Sequence, residues 1–432
     1  MNDLSGYVVI DNSIISSIAT TLKNKLGLSS ITPTEFTSNI EQLMNTDQLL
    51  SYAETVSNLD LDRLGLSKIT GGVFAIRSNI LQISGSIINI IEDNVFNTCS
   101  NLSSIDIPNC SYIGSIAFQS CRNLSYISPM PNCSYIGYRA FHYCSKLLSV
   151  SIPNCSYIGI SAFHACYSLS YISMPNCSYI DSYAFYDCSN LSSIDIPNCE
   201  YIGGSAFDMC INLSYISIPN CSYISAYAFY YCRNLSSISI PNCSYIGYNA
   251  FTSCYNLSYI SIPNCSYIGS YVFRYCSNLT YVSPMPNVSY IGDYAFNSCY
   301  NLSSINIPNC NYIGDWAFYT CSNLSYISIP NCSYIGYRAF NSCYNLSSIF
   351  LPNCNYISSS AFYGCSKLSA IYVLSTSMPT LDNSNAFYYT PLSNSTYLGY
   401  FGSIYVLSSL VDTFKTATNW SYYSSRITAY IE

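Results

Sequence analysis

The sequence predicts a repeat solenoid, mainly β, in which parallel β ladders alternate with short helical turns, preceded by a small α-helical N-terminal module. Three observations carry this. Near-copies of one stretch, Asn101 to Cys121, follow one another without a gap from Cys99 to Cys365, as ten units of 22 residues and two of 23. Within each unit the apolar residues keep fixed places, as in Leu102, Ile105 and Ile107, and a proline follows. The 24 cysteines fall into two columns that alternate about every 11 residues. A period between 20 and 50 residues signals stacked turns, because one unit cannot bury its own apolar side and needs neighbours.

Composition narrows the function. Charged residues make up 8% of the 432 residues, against ~25% in an ordinary soluble domain. Ser, Asn and 47 Tyr must therefore cover the exterior. A net charge of -7 offers no basic stripe for phosphates, which argues against nucleic acid as a partner. No apolar run approaches the ~18 residues that would cross a bilayer, so no membrane insertion is expected. The N-terminal residues lack a basic segment followed by a continuous apolar core, so a secretory signal is not evident.

Residues 1–46 read as a helical attachment module. Ile15, Ile18, Ala19 and Leu22 recur at helical spacing, with Asp11 or Asn12 as cap and Gly27 as stop. Thr32, Pro33 and Glu35 form a capping box for a second helix, whose apolar face is Phe36, Ile40 and Leu43. Over residues 7–45 this pattern resembles a small module at the front of many phage and prophage tail-associated proteins, and that resemblance implies attachment to a particle. Residues 47–98 read as linker and N-terminal cap, with a helix expected at residues 47–56 and a turn at Gly71 and Gly72.

Residues 99–371 form the twelve-unit array. Ile105 and Ile107 share one strand face, and Pro108, which cannot donate to a ladder, ends the strand. Ser111 to Gly114 suggests a second short strand, and Ala117, Phe118 and Cys121 have the spacing of one helical turn. This pattern, LxxIxIPxCxYIGxxAFxxCxN, resembles the BspA-like class of leucine-rich repeat over residues 95–371. The class is a bacterial, protist and phage set of surface and virion proteins, so the resemblance implies adhesion or recognition.

Each column then has an expected role. The asparagine after each proline, represented by Asn109, Asn198 and Asn242, is expected to form a structural ladder, buried enough to keep sugars off its Asn-Cys-Ser sequons. Cys110 and Cys243 represent the eleven cysteines after the Pro-Asn pair, and Cys121 and Cys254 the thirteen after the Ala-Phe pair. Their spacing lacks the knuckles of a zinc site, both counts are odd, and stacked side chains point the same way. A buried ladder of reduced thiols is expected, with no metal and no cofactor. The middle outward position of the main strand alternates Ser and Tyr. Tyr126, Tyr171, Tyr215, Tyr259, Tyr281 and Tyr326 would stand ~10 Å apart except where Tyr281 follows Tyr259 directly. Large rigid rings beside small hydrogen-bonding residues are the chemistry of a recognition surface; alternating sizes also serve packing. His142 and His164 share a slot in adjacent units and are expected at the exposed surface. Trp316, Arg139 and Arg338 lie in variable slots before the Ala-Phe pair, where they could mark a second contact surface.

Residues 372–432 read as a degenerate repeat and C-terminal cap, with a strand at Ile404 to Leu407, a helix near Ser409 to Ala417, and Trp420 as a plug. No nucleophile, base and orienter converge, so no enzyme is expected. The leading expectation is a phage virion protein, tail-associated or decorating, assembled in the host cytoplasm. It would touch other virion proteins, or copies of itself, and recognise a host-surface glycan or protein. Two alternatives stand beside it: a bacterial surface adhesin of the same repeat class, extracellular or on the cell surface, and a self-assembling fibre- or tube-forming structural protein.

Overall fold

A computed structural model describes residues 55–393 and 401–431. The expected helices of residues 1–46 and most of the helix expected at 47–56 lie outside the described residues. The described residues form a parallel β-solenoid of about 17 turns with little helix. It divides into two compact units, Met1–Ile196 and Pro197–Glu432.

Each turn of the first unit contributes one strand to each of two ladders. The main ladder includes Ser104–Asp106 and Tyr126–Ile127, and then Ser149–Ser151 and Tyr171–Ser173, each pair parallel and in register. The second ladder runs through Tyr112–Ile113, Tyr135–Ile136, Tyr157–Ile158 and Tyr179–Ile180. The stacking starts earlier than the clear repeats. Asn58–Asp60 pairs with Gln82–Ser84, and Lys68–Ile69 with Ile90–Ile91, so the stretch read as linker and cap carries the same two-strand turn. Its sequence hides this because Gly85, Ser86 and Ile88 stand where the next unit carries Ile107, Pro108 and Cys110.

The third side of each turn differs from the helical turn expected there. Ile116 and Ser120 have left-handed backbones, φ 62° and 60°, and such a pair recurs in turn after turn. A left-handed non-glycine residue costs about 1–2 kcal/mol. The conformation redirects amides from a local helix toward the following turn: Ile116 N–H donates to Tyr138 O at 2.7 Å and Ser120 N–H to His142 O at 2.7 Å. Phe118 N–H completes the set with Ala140 O, also at 2.7 Å. Every second amide thus bonds to the next turn, while those between keep a local bond three residues back, as Gln119 N–H to Ile116 O and Cys121 N–H to Phe118 O, both at 3.2 Å, leaving few amides unpaired on this side.

The core follows from the columns. Leu124, Ile136, Phe141 and their equivalents are fully buried. Phe rings stack at centroid separations of 5.2–5.3 Å from Phe74 to Phe185 in the first unit. A similar stack runs from Phe207 to Phe387 in the second. At Gly137 a Cβ would lie 2.6 Å from the backbone carbon of Gly114, so glycine there lets two turns approach closely.

The two 23-residue units absorb their extra residue by stopping the strand early. The strands there are only Tyr126–Ile127 and Tyr281–Val282. Ser128 Oγ accepts the Ile107 N–H at 3.0 Å, and Ser283 Oγ accepts that of Ile262 at 2.9 Å. Met130 and Met285 then take the buried apolar place.

At the end of the second unit, Ala370–Val373 pairs with Ser403–Val406, which pairs with Ile427–Ala429. Between the last two of these strands lies helix Val411–Thr416, with Phe414 edge-on to Trp420 at 4.9 Å. Trp420 is fully buried and donates its Nε1–H to Pro379 O at 2.9 Å, closing the core.

Candidate functional site

The main strands point every second residue outward, and on that face the tyrosines of the alternating column are free. In the first unit Tyr126 pairs with Ser104, and Tyr171 lies between Ser149 and Ser193. In the second, Tyr259 pairs with Ser237, and Tyr326 with Ser304. Tyr126, Tyr171, Tyr215, Tyr259, Tyr281 and Tyr326 are 41–59% exposed, high for so large a side chain within a strand. Small serines beside them leave ring faces uncovered. The exception is Tyr259 and Tyr281, adjacent in register and stacked at 5.3 Å.

A second tyrosine column, which the sequence reading passed over, behaves differently. Tyr112, Tyr135, Tyr157 and Tyr179 stack at 4.9–5.5 Å. From Tyr201 to Tyr356 the same column stacks at 4.7–5.3 Å. These rings cover one another, so they offer edges rather than open faces. Burial first, then Tyr334 and Asp293, pushes the Tyr312 phenol up to about 12. The signal was present, since Tyr precedes Ile-Gly or its equivalent in all twelve units.

The serines one position before the alternating column are ladder partners. Ser125 Oγ donates to Ser103 O, and Ser258 Oγ to Ser236 O, each one turn back. The asparagine column does likewise from an exposed position, contrary to the burial expected of it. Asn109 and Asn242 are solvent-exposed, with Nδ2 donating to Ser86 O at 2.7 Å and to Pro219 O at 3.1 Å. Asn198 is equally exposed. The strand has ended at the preceding proline, so the corner faces solvent and the amide satisfies a carbonyl of the preceding turn.

All 24 cysteines are buried, and none is in a disulfide. Cys121 donates its thiol to Phe96 O at 3.2 Å and Cys254 to Phe229 O at 3.2 Å, each one turn back. In the other column Cys110 and Cys243 each donate to a tyrosine carbonyl two residues on, both at 3.3 Å. Burial pushes the Cys110 thiol up to about 12, with the Cys133 thiol adding to it. Among the described residues no group of three or more His, Cys, Asp or Glu side chains could hold a metal ion.

The histidines depart from the exposed placement expected. His142 is 7% exposed, covered by Tyr143 and His164, whose ring centroids lie 4.3 Å and 4.6 Å away. Neither ring nitrogen of His142 has a hydrogen-bond partner. Desolvation, then His164 and Arg139, lowers its pKa to about 4, so the ring is neutral at pH 7. Nearby slots hold cations over rings: Arg139 lies 5.0 Å from Tyr138, and Arg338 lies 4.7 Å from Trp316.

The arrangement can bind, through exposed rings and hydroxyls on a stiff ladder. No helix among the described residues is long and apolar enough to cross a membrane.

Comparison with known proteins follows the same lines. A comparison with curated proteins returns no match. Among solved structures, the chain is similar to a leucine-rich repeat protein from Bacteroides ovatus, with 20% identity over 80% of this chain and 88% of that one and a TM-score of 0.53. It is also similar to a leucine rich cell surface protein from Faecalibacterium prausnitzii, with 23% identity over 85% of this chain and 90% of that one and a TM-score of 0.40. The family model described as a BspA type leucine rich repeat region matches residues 67–191, 156–280, 200–312 and 289–406. These matches overlap to cover most of the sequence and coincide with the stacked turns, so the chain belongs to the BspA-type leucine-rich repeat family.

Proposed function

We propose that this chain is a non-enzymatic adhesion protein that recognises a surface through the main-strand face of its solenoid, acting on a bacterial cell surface or outside the cell. The observation that carries the reading is the exposure of Tyr126, Tyr171, Tyr215, Tyr259, Tyr281 and Tyr326 on strands whose other outward residues are small. Rigid rings lose little conformational entropy on binding, and serines beside them supply adaptable hydrogen bonds. Membership of the BspA-type family supports that setting. The proposed partner is a host-surface glycan or protein.

A second placement, on a phage particle as a tail-associated or decorating protein, is favoured by one observation: the sequence of residues 7–45 and its resemblance to tail modules. In either setting the solenoid does the recognising, and residues 1–46 are proposed to attach it.

The test is adherence of the purified chain to host-type cells, compared with a variant carrying Tyr171→Ser, Tyr215→Ser and Tyr259→Ser. The reading expects at least a tenfold loss of binding with an unchanged melting temperature. Undiminished adherence would remove the strand face from consideration. Immunogold labelling of intact cells against purified particles separates the two placements.

A further inference from the structure

The main-strand face changes character near the end of the second unit. At the outward position two residues after the alternating Ser/Tyr column, Ser217, Ser239, Ser261, Asn306 and Ser328 are all small and polar. The next two turns carry Phe350 and Tyr372 there, and Tyr405 continues the series, paired with Tyr372 and stacked on it at 4.8 Å. Phe350 is 47% exposed, which no interior packing requires. Tyr430 meets Tyr372 edge-on at 5.9 Å.

Phe350, Tyr372 and Tyr430 line an open cleft of about 470 Å³. Tyr326 stands at one end, Phe350, Tyr372 and Tyr430 form the wall, and Ser328 and Ser348 supply hydroxyls. The volume falls within the ~300–1,000 Å³ of small-molecule sites. No charged side chain occurs among the described lining residues, so nothing there would hold an ionic ligand in place.

We propose that this cleft is a subsite for a neutral pyranose ring of a surface oligosaccharide. A pyranose presents a flat face of C–H bonds and a rim of hydroxyls. Rings of Phe350 and Tyr372 match the face, and the hydroxyls of Ser328, Ser348 and the tyrosines match the rim. An apolar peptide side chain would leave those hydroxyls unpaired, and an anionic polymer would find no counter-charge. The inference rests on the recognition reading above and gives it a ligand class and a place.

The test presents the full chain to an array of neutral hexose and N-acetylhexosamine oligosaccharides, then repeats the binding with Phe350→Ser and Tyr372→Ser. Both substitutions restore the small residue that other turns carry at the same position. The expected result is binding that falls about tenfold or more in each variant, as loss of one ring contact implies. Bound sugar should also shield Tyr372 and Tyr430 of the unaltered chain from nitration, a readout that does not depend on how the variants fold. Absence of binding to any neutral oligosaccharide, or binding that neither variant weakens without such shielding, would overturn the proposal. Cell adherence without sugar binding would overturn the cleft alone, whereas absence of both would remove the broader reading too.

Discussion

The thiol of Cys254 donates to the carbonyl oxygen of Phe229, 3.2 Å away and one turn back, and both residues are wholly buried. The same carbonyl already accepts the Cys232 N–H at 3.2 Å. The thiol therefore engages a second lone pair in a setting without water, while its sulfur fills the space between turns. Cysteine suits this column because it is small, apolar and a weak donor at once.

Removing that group has a measurable consequence. Cys254→Ala deletes both the donor and the sulfur volume, and is expected to destabilise the second unit by about 1–2 kcal/mol. Cys243→Val, in the other column, is expected to cost less than ~1 kcal/mol. That column already accommodates a fully buried Val288. Thermal or urea unfolding of the two variants checks the contrast, and equal losses would argue against distinct roles for the columns.

The exposed tyrosines should behave in the opposite way. Tyr215→Ser alone is expected to change stability by no more than about 0.5 kcal/mol, because the ring is 54% exposed and the fold carries Ser at Ser193 and Ser237. A melting temperature lowered by many degrees would show that the ring serves packing instead.

Acid should weaken the first unit through His142. Its pKa is lowered to about 4 in the folded chain, by burial first and then by His164 and Arg139, from an ordinary 6.5. The unfolded chain therefore binds more protons between these values, and stability rises with pH across that window. The contribution is complete above about pH 6.5 and is lost as the pH falls toward 4. After allowance for solvent screening it is on the order of 1 kcal/mol. His142→Gln, which restores the residue type of Gln119 in the same slot, should flatten the dependence of melting temperature on pH between 7 and 4.5.

Much of this was legible in the sequence because buried columns admit few residue types. Leu124, Ile136, Phe141 and Cys144 recur at the same places in unit after unit, and each is fully buried. The third side was not legible. Its left-handed positions hold Ile116, Arg139, Ser161, Tyr183, Asn249 and Trp316, so a shared backbone is masked by side chains with nothing else in common. Spacing alone could not separate that turn from a helical one. The exposure of Asn109 was missed because a repeated polar residue reads equally well as a buried or an open ladder. The burial of His142 depends on Tyr143 and His164 folding over it, which no period reveals. The exposed tyrosine column was found by its alternation, while the stacked column from Tyr201 to Tyr356 was overlooked because it never varies.

The account depends most on a division between columns turned inward and columns turned out, and thiol accessibility measures that division directly. The intact protein, treated with a small alkylating reagent at pH 7.5 and weighed by mass spectrometry, is expected to show none of its 24 cysteines modified, and all 24 after unfolding in denaturant. Rapid modification of several thiols in the native protein would contradict it.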